Sequence, residues 1–324
     1  TLFFRDPSGN AIEIKAFKDM ENLFTDPFNI LLIAAFIGFF MAFGIGANDV
    51  ANSMGTSVGA RALTIKQAIL IAAVFEFLGA FLAGGEVTST IRKGIVDPNL
   101  YTDQVNIFVI GMMSALLAGG TWLYIASLRG WPVSTTHSIV GAIIGFVLIT
   151  KGVDAVSWGK VSNIAMSWVT SPLFSGILAF SLYISAKKLI LDRANPGKAA
   201  ITFIPFYSFL VAVVISLVTA RKGLKHVGIE WTENEVYLFT FIFSIVVAIG
   251  TSYFLRRNKE KINGVGGIEF AFGLLMIVSA SAMAFAHGSN DVANAIGPLA
   301  AIVSVVDTGT VGSKATISPW VLFI

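Results

Sequence analysis

Cysteine is absent from all 324 residues. That excludes disulfides, thiolate metal sites and cysteine nucleophiles. Charge is scarce as well: Asp, Glu, Lys and Arg make up 13% of the chain, where soluble domains carry about 25%. The formal net charge of +3 is too small to indicate a polyanionic partner. No secretory signal pattern opens the chain, which begins Thr1-Leu2-Phe3 and stays polar to residue 27. What is abundant is apolar: 55% of residues are hydrophobic, and they fall in long continuous runs. Barrel strands alternate over about ten residues, so these runs read as helices. The composition therefore predicts an all-α polytopic membrane protein. Both ends look cut, since Thr1 is not a start residue and Trp320–Ile324 stop inside an apolar run.

One stretch organises the rest. Gly46-Ala47-Asn48-Asp49-Val50-Ala51-Asn52 returns as Gly288-Ser289-Asn290-Asp291-Val292-Ala293-Asn294. The match extends upstream, where Met41-Ala42-Phe43 recurs as Met283-Ala284-Phe285, and downstream, where Gly55 recurs as Gly297. Each copy sets one carboxylate and two side-chain amides at the end of an apolar run. A carboxylate at membrane depth costs on the order of 3 kcal/mol, so it needs a partner or a function. Two matching elements in two halves predict one site shared by two repeats, with the two motifs meeting near the membrane centre.

The spans follow in order. The first runs from about Phe28 to Ile45 and a second from about Ile65 to Ala83, with Glu76 in its middle. A third, from about Ile107 to Leu128, is interrupted by Arg129-Gly130-Trp131-Pro132. Val133-Ser134-Thr135-Thr136-His137-Ser138 then opens an apolar helix to about Ile149. Pro beside hydroxyl residues is a strong helix-start signal. A long span from about Val161 to Ile190 contains Pro172 and is expected to kink or tilt. Shorter spans cover Ile204–Val218 and Val236–Leu255, and a last one, about Phe270 to Ala286, delivers the second motif. The run Arg256–Lys261 is the densest charge cluster and is expected on the cytoplasmic side. Positive charge flanks both ends of several spans, so the loops alone fix no orientation.

Residues 1–27 stand apart. Their Pro-x-Gly-Asn turn and alternating segment Ala11-Ile12-Glu13-Ile14-Lys15 resemble the C-terminal end of a glyoxalase-type (vicinal oxygen chelate) domain, which implies Glu13 as the counterpart of that family's metal ligand. One strand cannot complete a metal site or a core, so an enzyme is not expected.

The doubled Asn-Asp motif, Pro132-Val133-Ser134-Thr135-Thr136-His137, Glu76 and Glu86-Val87-Thr88-Ser89-Thr90-Ile91-Arg92-Lys93-Gly94 together resemble the inorganic phosphate transporter (PiT) family over essentially everything after residue 27. The resemblance implies an inverted-repeat carrier with discontinuous helices in the plasma (inner) membrane, usually dimeric, moving inorganic phosphate by sodium or proton symport. No cofactor is implied beyond the coupling ion. The corresponding layout is an extension (1–27), a first repeat (28–190), linking spans and basic loops (191–265) and the start of a second repeat (266–324). The family's second Pro-Val-Ser-Thr-Thr-His segment is missing; the repeat offset places it roughly fifty residues past Ile324. The second repeat is therefore expected to be truncated, which leaves a transport-incompetent fragment as one alternative and a carrier of another oxyanion such as sulfate as a second.

The residue chemistry divides the site. A helix N-terminus offers N–H groups and a positive dipole end to an anion. Ser134, Thr135 and Thr136 would add hydroxyl donors, and Asn52 and Asn294 amides, for phosphate. Ser134 is equally read as a plain helix cap. Asp49 and Asp291 repel an anion, so with Asn48 and Asn290 they form the candidate set for a hard cation such as sodium, which prefers oxygen. Unwound carbonyls would complete that set. Glu76 is either protonated and silent or a coupling group. His137 reads as a hydrogen-bonded helix residue before a proton relay, and His226 and His287 carry weaker cases still.

Overall fold

The computed structural model describes residues 4–5, 11–12, 26–84, 97–223, 231–263 and 266–311. Near the start, β1 (Phe4–Arg5) pairs antiparallel with β2 (Ala11–Ile12). Glu13, Glu86 and His226 lie outside the described residues. The rest is helical: α1 (Pro27–Gly59), α2 (Ile65–Ala83), α3 (Val105–Arg129), α4 (Thr135–Lys151), α5 (Trp158–Ala186), α6 (Pro196–Val218), α7 (Glu233–Arg257), the short α8 (Lys259–Asn263) and α9 (Gly267–Thr308). Among the described residues, seven helices are long and apolar enough to cross a membrane, and α4 is a shorter apolar helix. The all-helical, multi-pass class expected from composition is the class observed.

Local chemistry sets the helix starts. Pro27 follows Asp26, whose carboxylate accepts the Phe28 N–H. Thr64 with Gln67, and Thr232 with Glu235, close reciprocal caps at α2 and α7. The helix α5 continues through Pro172 and ends in a wide π turn, Lys187–Leu191.

Two packing relationships position the site. First, α1 and α9 run antiparallel: Gly38 faces Leu299, while Asp49 faces His287 and Asp291. Second, α2 lies on α9 almost backbone to backbone. A Cβ on Gly79 would strike the Phe285 carbonyl, and one on Gly288 would strike the Glu76 backbone. Small residues allow such approach where lipid supplies no hydrophobic drive between helices. The largest apolar cluster joins α1, α3, α4 and α9, with Met41, Leu116, Leu123, Ile139, Ile143 and Leu299 fully buried.

The α3–α4 pair is a hairpin whose tip stops inside the bundle. Gly119 and Gly120 face Met41, and Gly44 faces Leu123, so α3 runs parallel to α1. It ends at Gly130, which takes a left-handed conformation (φ 66°), with the Trp131 N–H on the Ala126 carbonyl. After Pro132 the chain turns back at Ser134, the α4 N-cap. The open end is closed by Tyr101 to Thr150 at 2.6 Å and Lys151 to Gln104 at 2.8 Å.

Here the structure corrects one expectation. Helical backbone was expected to unwind at each Asn-Asp motif. Both motifs instead lie within unbroken helices, α1 and α9, which continue well past them. The break in the helical backbone at the site is the hairpin tip, Gly130–Ser134. The physical reason is local: neither motif carries a proline or a left-handed residue, whereas the tip carries Pro132 and Gly130.

Candidate functional site

The two motifs meet, and the hairpin tip arrives between them. Asp49, from α1, and Asp291, from α9, both approach Nε2 of His287, at 3.4 and 2.7 Å. Nδ1 of the same ring lies 3.3 Å from Glu76 on α2. One imidazole thus faces three carboxylates from three helices. None of these contacts has the alignment of a hydrogen bond, so the ring is a basic group set among acids, charged only when protonated. Asp49 is buried, and His287, Glu76 and Asp291 are partly buried. Carboxylates this close repel one another in a low-dielectric setting, so the cluster favours cations. One ligand atom each from Asp49, His287 and Asp291 falls within 4.8 Å of the others, a spacing that can hold an ion.

The last amide of each motif braces its own carboxylate. Asn52 donates to Asp49 at 3.1 Å, and Asn294 to Asp291 at 3.4 Å. Asn294 is buried and also donates to the Thr135 and Thr136 hydroxyls, each at 3.2 Å. The second motif therefore touches the first turn of α4 directly. Ser134 caps that turn, its hydroxyl accepting the His137 N–H at 3.2 Å. The leading N–H groups of a helix have no intrahelical acceptor, and here they open beside buried Thr135. The positive end of α4 and two hydroxyls thus stand next to a carboxylate cluster. Such a juxtaposition suits an anion and cations bound together.

The same region decides the chain's kinship. Residues 45–324 match the Phosphate transporter family. The chain belongs to that family. A putative phosphate permease of Haemophilus influenzae is 48% identical over 301 residues, covering 90% of this chain and 71% of the relative. The chloroplastic inorganic phosphate transporter 2-1 of Arabidopsis thaliana is 39% identical over 301 residues, covering 86% of this chain and 51% of that protein. A solved structure described as a sodium-dependent phosphate transporter superposes with a TM-score of 0.82 at 40% identity, covering 90% of this chain and 72% of its own. Family and fold place the chain among multi-pass membrane transporters rather than enzymes.

Within this phosphate transporter, the sequence-predicted residues separate into three groups. Asp49, Asp291, Asn52, Asn294, Thr135 and Thr136 converge as described. Ser134 is a helix cap, its hydroxyl engaged with the backbone. Asn48 and Asn290 do not join the carboxylate cluster: Asn48 turns to the hairpin tip, and Asn290 is exposed, with no side-chain hydrogen bond among the described residues. His137 packs against Trp168 of α5, ring centroids 3.7 Å apart and the rings tilted by 49°. Glu76 is at the cluster. The residue that sequence reasoning undervalued is His287. Its spacing of four from Asp291 puts both on one helix face, a signal available in the sequence.

Proposed function

We propose that this chain carries inorganic phosphate across the plasma membrane in symport with sodium, bound at the junction of the two Asn-Asp motifs and the α3–α4 hairpin. The observation that carries the reading is the contact of Asn294 with Thr135 and Thr136 at the α4 N-terminus, beside Asp291. Phosphate takes the helix N-terminus and the hydroxyls. Asp49 and Asp291 hold the cation, whose charge offsets both the carboxylates and the substrate. A hard monovalent cation prefers those carboxylate oxygens to the imidazole, and His287 supplies positive charge to the cluster when protonated. Sodium is favoured over protons because the similar solved structure is described as sodium-dependent. A homodimer in the bilayer is the assembly that goes with this reading. No other cofactor enters it, and residues 1–25, which carry no long apolar run, are dispensable for transport in this reading.

The test is radiolabelled phosphate uptake by the protein in vesicles, with sodium and pH varied independently and sulfate as competitor. Saturable uptake that rises with sodium at fixed pH and resists excess sulfate supports the reading. Uptake that follows the proton gradient alone, or equal competition by sulfate, overturns the assignment of ion or substrate.

A further inference from the structure

We infer that Asn48 is a positioning residue for phosphate recognition: its side-chain amide hooks the tip of the α3–α4 hairpin and so sets where Thr135 and Thr136 stand. The inference rests on the assignment of phosphate to the α4 N-terminus.

Every donor of this amide is committed to the hairpin. Nδ2 donates to the Trp131 carbonyl at 3.0 Å and to the Ser127 hydroxyl at 3.3 Å, while Oδ1 accepts the Val133 N–H at 3.2 Å. Trp131 and Val133 flank Pro132, which has no N–H to offer. A primary amide presents a donor and an acceptor side by side, as a peptide group does. Asn48 thus pairs with the tip as a neighbouring strand would, across the one residue that cannot donate. A cation taken by Oδ1 would compete with the Val133 N–H. The other amides near the carboxylates behave differently, since Asn52 and Asn294 donate to Asp49 and Asp291.

The hook matters because the tip is pinned from two sides. Asn48 holds Trp131 and Val133 from α1, and Asn294 holds Thr135 and Thr136 from α9. Only Ser134 separates the two anchor points. Slack at Asn48 is therefore passed to the hydroxyls and to the leading N–H groups of α4. Asp49 and Asp291 are held by the packing of α1 on α9 and keep their places. Loss of the hook is a loss of phosphate geometry, not of the cation cluster.

Two readouts separate this from a cation-ligand role and from a purely structural one. In Asn48→Ala, hydrogen–deuterium exchange at the Val133 amide accelerates about tenfold or more, because its acceptor is gone. The apparent KM for phosphate rises about tenfold, while the midpoint and steepness of the dependence on driving ion, measured at saturating phosphate for each protein so that reciprocal coupling does not shift them, stay those of the parent. Ser127→Ala removes a single partner and shifts both quantities in the same direction by less. It keeps the test open if Asn48→Ala folds poorly. Unchanged Val133 exchange in both variants overturns the hook. A shift of the ion midpoint in Asn48→Ala as large as that in Asp49→Asn overturns the positioning role and makes Asn48 a cation ligand. Absence of saturable phosphate uptake by the parent defeats the phosphate assignment, and the exchange measurement then decides the hook by itself.

Discussion

Asn294 and Thr135 are 159 positions apart, and their side chains form a buried hydrogen bond of 3.2 Å. This contact joins the second motif to the hairpin. Thr135→Val keeps the shape and removes one of three acceptors of the Asn294 amide, whose two N–H groups keep Thr136 and Asp291. A hydrogen bond lost without stranding its partner costs about 0.5–1.5 kcal/mol. Both Thr135→Val and Thr136→Val are expected to raise the apparent KM for phosphate, by roughly tenfold for a loss near 1.4 kcal/mol, with the larger effect at buried Thr135. Unchanged uptake kinetics in both variants would remove the hydroxyls from the site.

Among the described residues, His287 is the one basic group facing three carboxylates. His287→Ala leaves those acids to repel one another, and breaking a buried charge arrangement costs on the order of 3 kcal/mol. The variant should melt at a lower temperature in detergent. Sodium should then stabilise it more than it stabilises the parent, since a cation that binds the folded state raises its stability by mass action. Equal sodium dependence of the two melting temperatures would separate the ion from the carboxylates.

Gly288 has no room for a side chain, because the Glu76 backbone lies against it. Gly288→Ala forces α2 and α9 apart at the point where Glu76 reaches His287. Overpacking of this kind costs about 1–3 kcal/mol. A lowered melting temperature is expected, whereas Gly250→Ala, with open space around it, should change little. Equal effects at the two glycines would deny the close approach.

Charge sorts by membrane face once the helices are followed in order. Gly197 packs on Ile262 and Asn263, and Ala62 faces Gly273, so three connections share one end. They carry Arg61 and Lys66; Lys187, Lys188, Arg193 and Lys198; and Arg256, Arg257, Lys259 and Lys261, against Asp192, Glu260 and Glu269. Among the described residues the opposite end holds Asp26, Asp97, Asp103, Asp154, Glu233, Glu235 and Asp307 with Lys151, Lys160, Arg221 and Lys222. The positive-inside rule therefore predicts that the first end is cytoplasmic. The absence of native cysteine makes the check direct: Arg193→Cys should resist an impermeant thiol reagent in intact cells, and Asp154→Cys should react. The reverse pattern would invert the orientation.

These particulars show what was legible beforehand. The helical class, the pairing of Asp49 with Asp291 and the start of α4 were readable because each rests on local chemistry or on repetition. The hairpin's re-entry was not, because a span that stops inside the bundle has the same hydropathy as one that crosses. Counting α3 and α4 as two full crossings would misplace only the turn at 129–134, because an even number of crossings leaves every later loop on its own face. The division of labour between Asn48 and Asn52 was also invisible. Two asparagines four positions apart look alike until the hairpin supplies Trp131 and Val133 as partners for the first alone.

The central claim is that Asp49 and Asp291 bind the coupling cation whose charge holds phosphate at the α4 N-terminus. Asp→Asn preserves size and one oxygen while deleting the charge. By linkage, weaker cation binding must weaken phosphate binding, and the reverse. The direct measurement is phosphate uptake against driving-ion concentration for the parent, Asp49→Asn and Asp291→Asn. The account predicts that each variant loses the steep ion dependence and needs far more of the ion to reach half-maximal uptake. Retention of the parent's midpoint and steepness in both variants would contradict it and leave the two carboxylates as structural partners of His287.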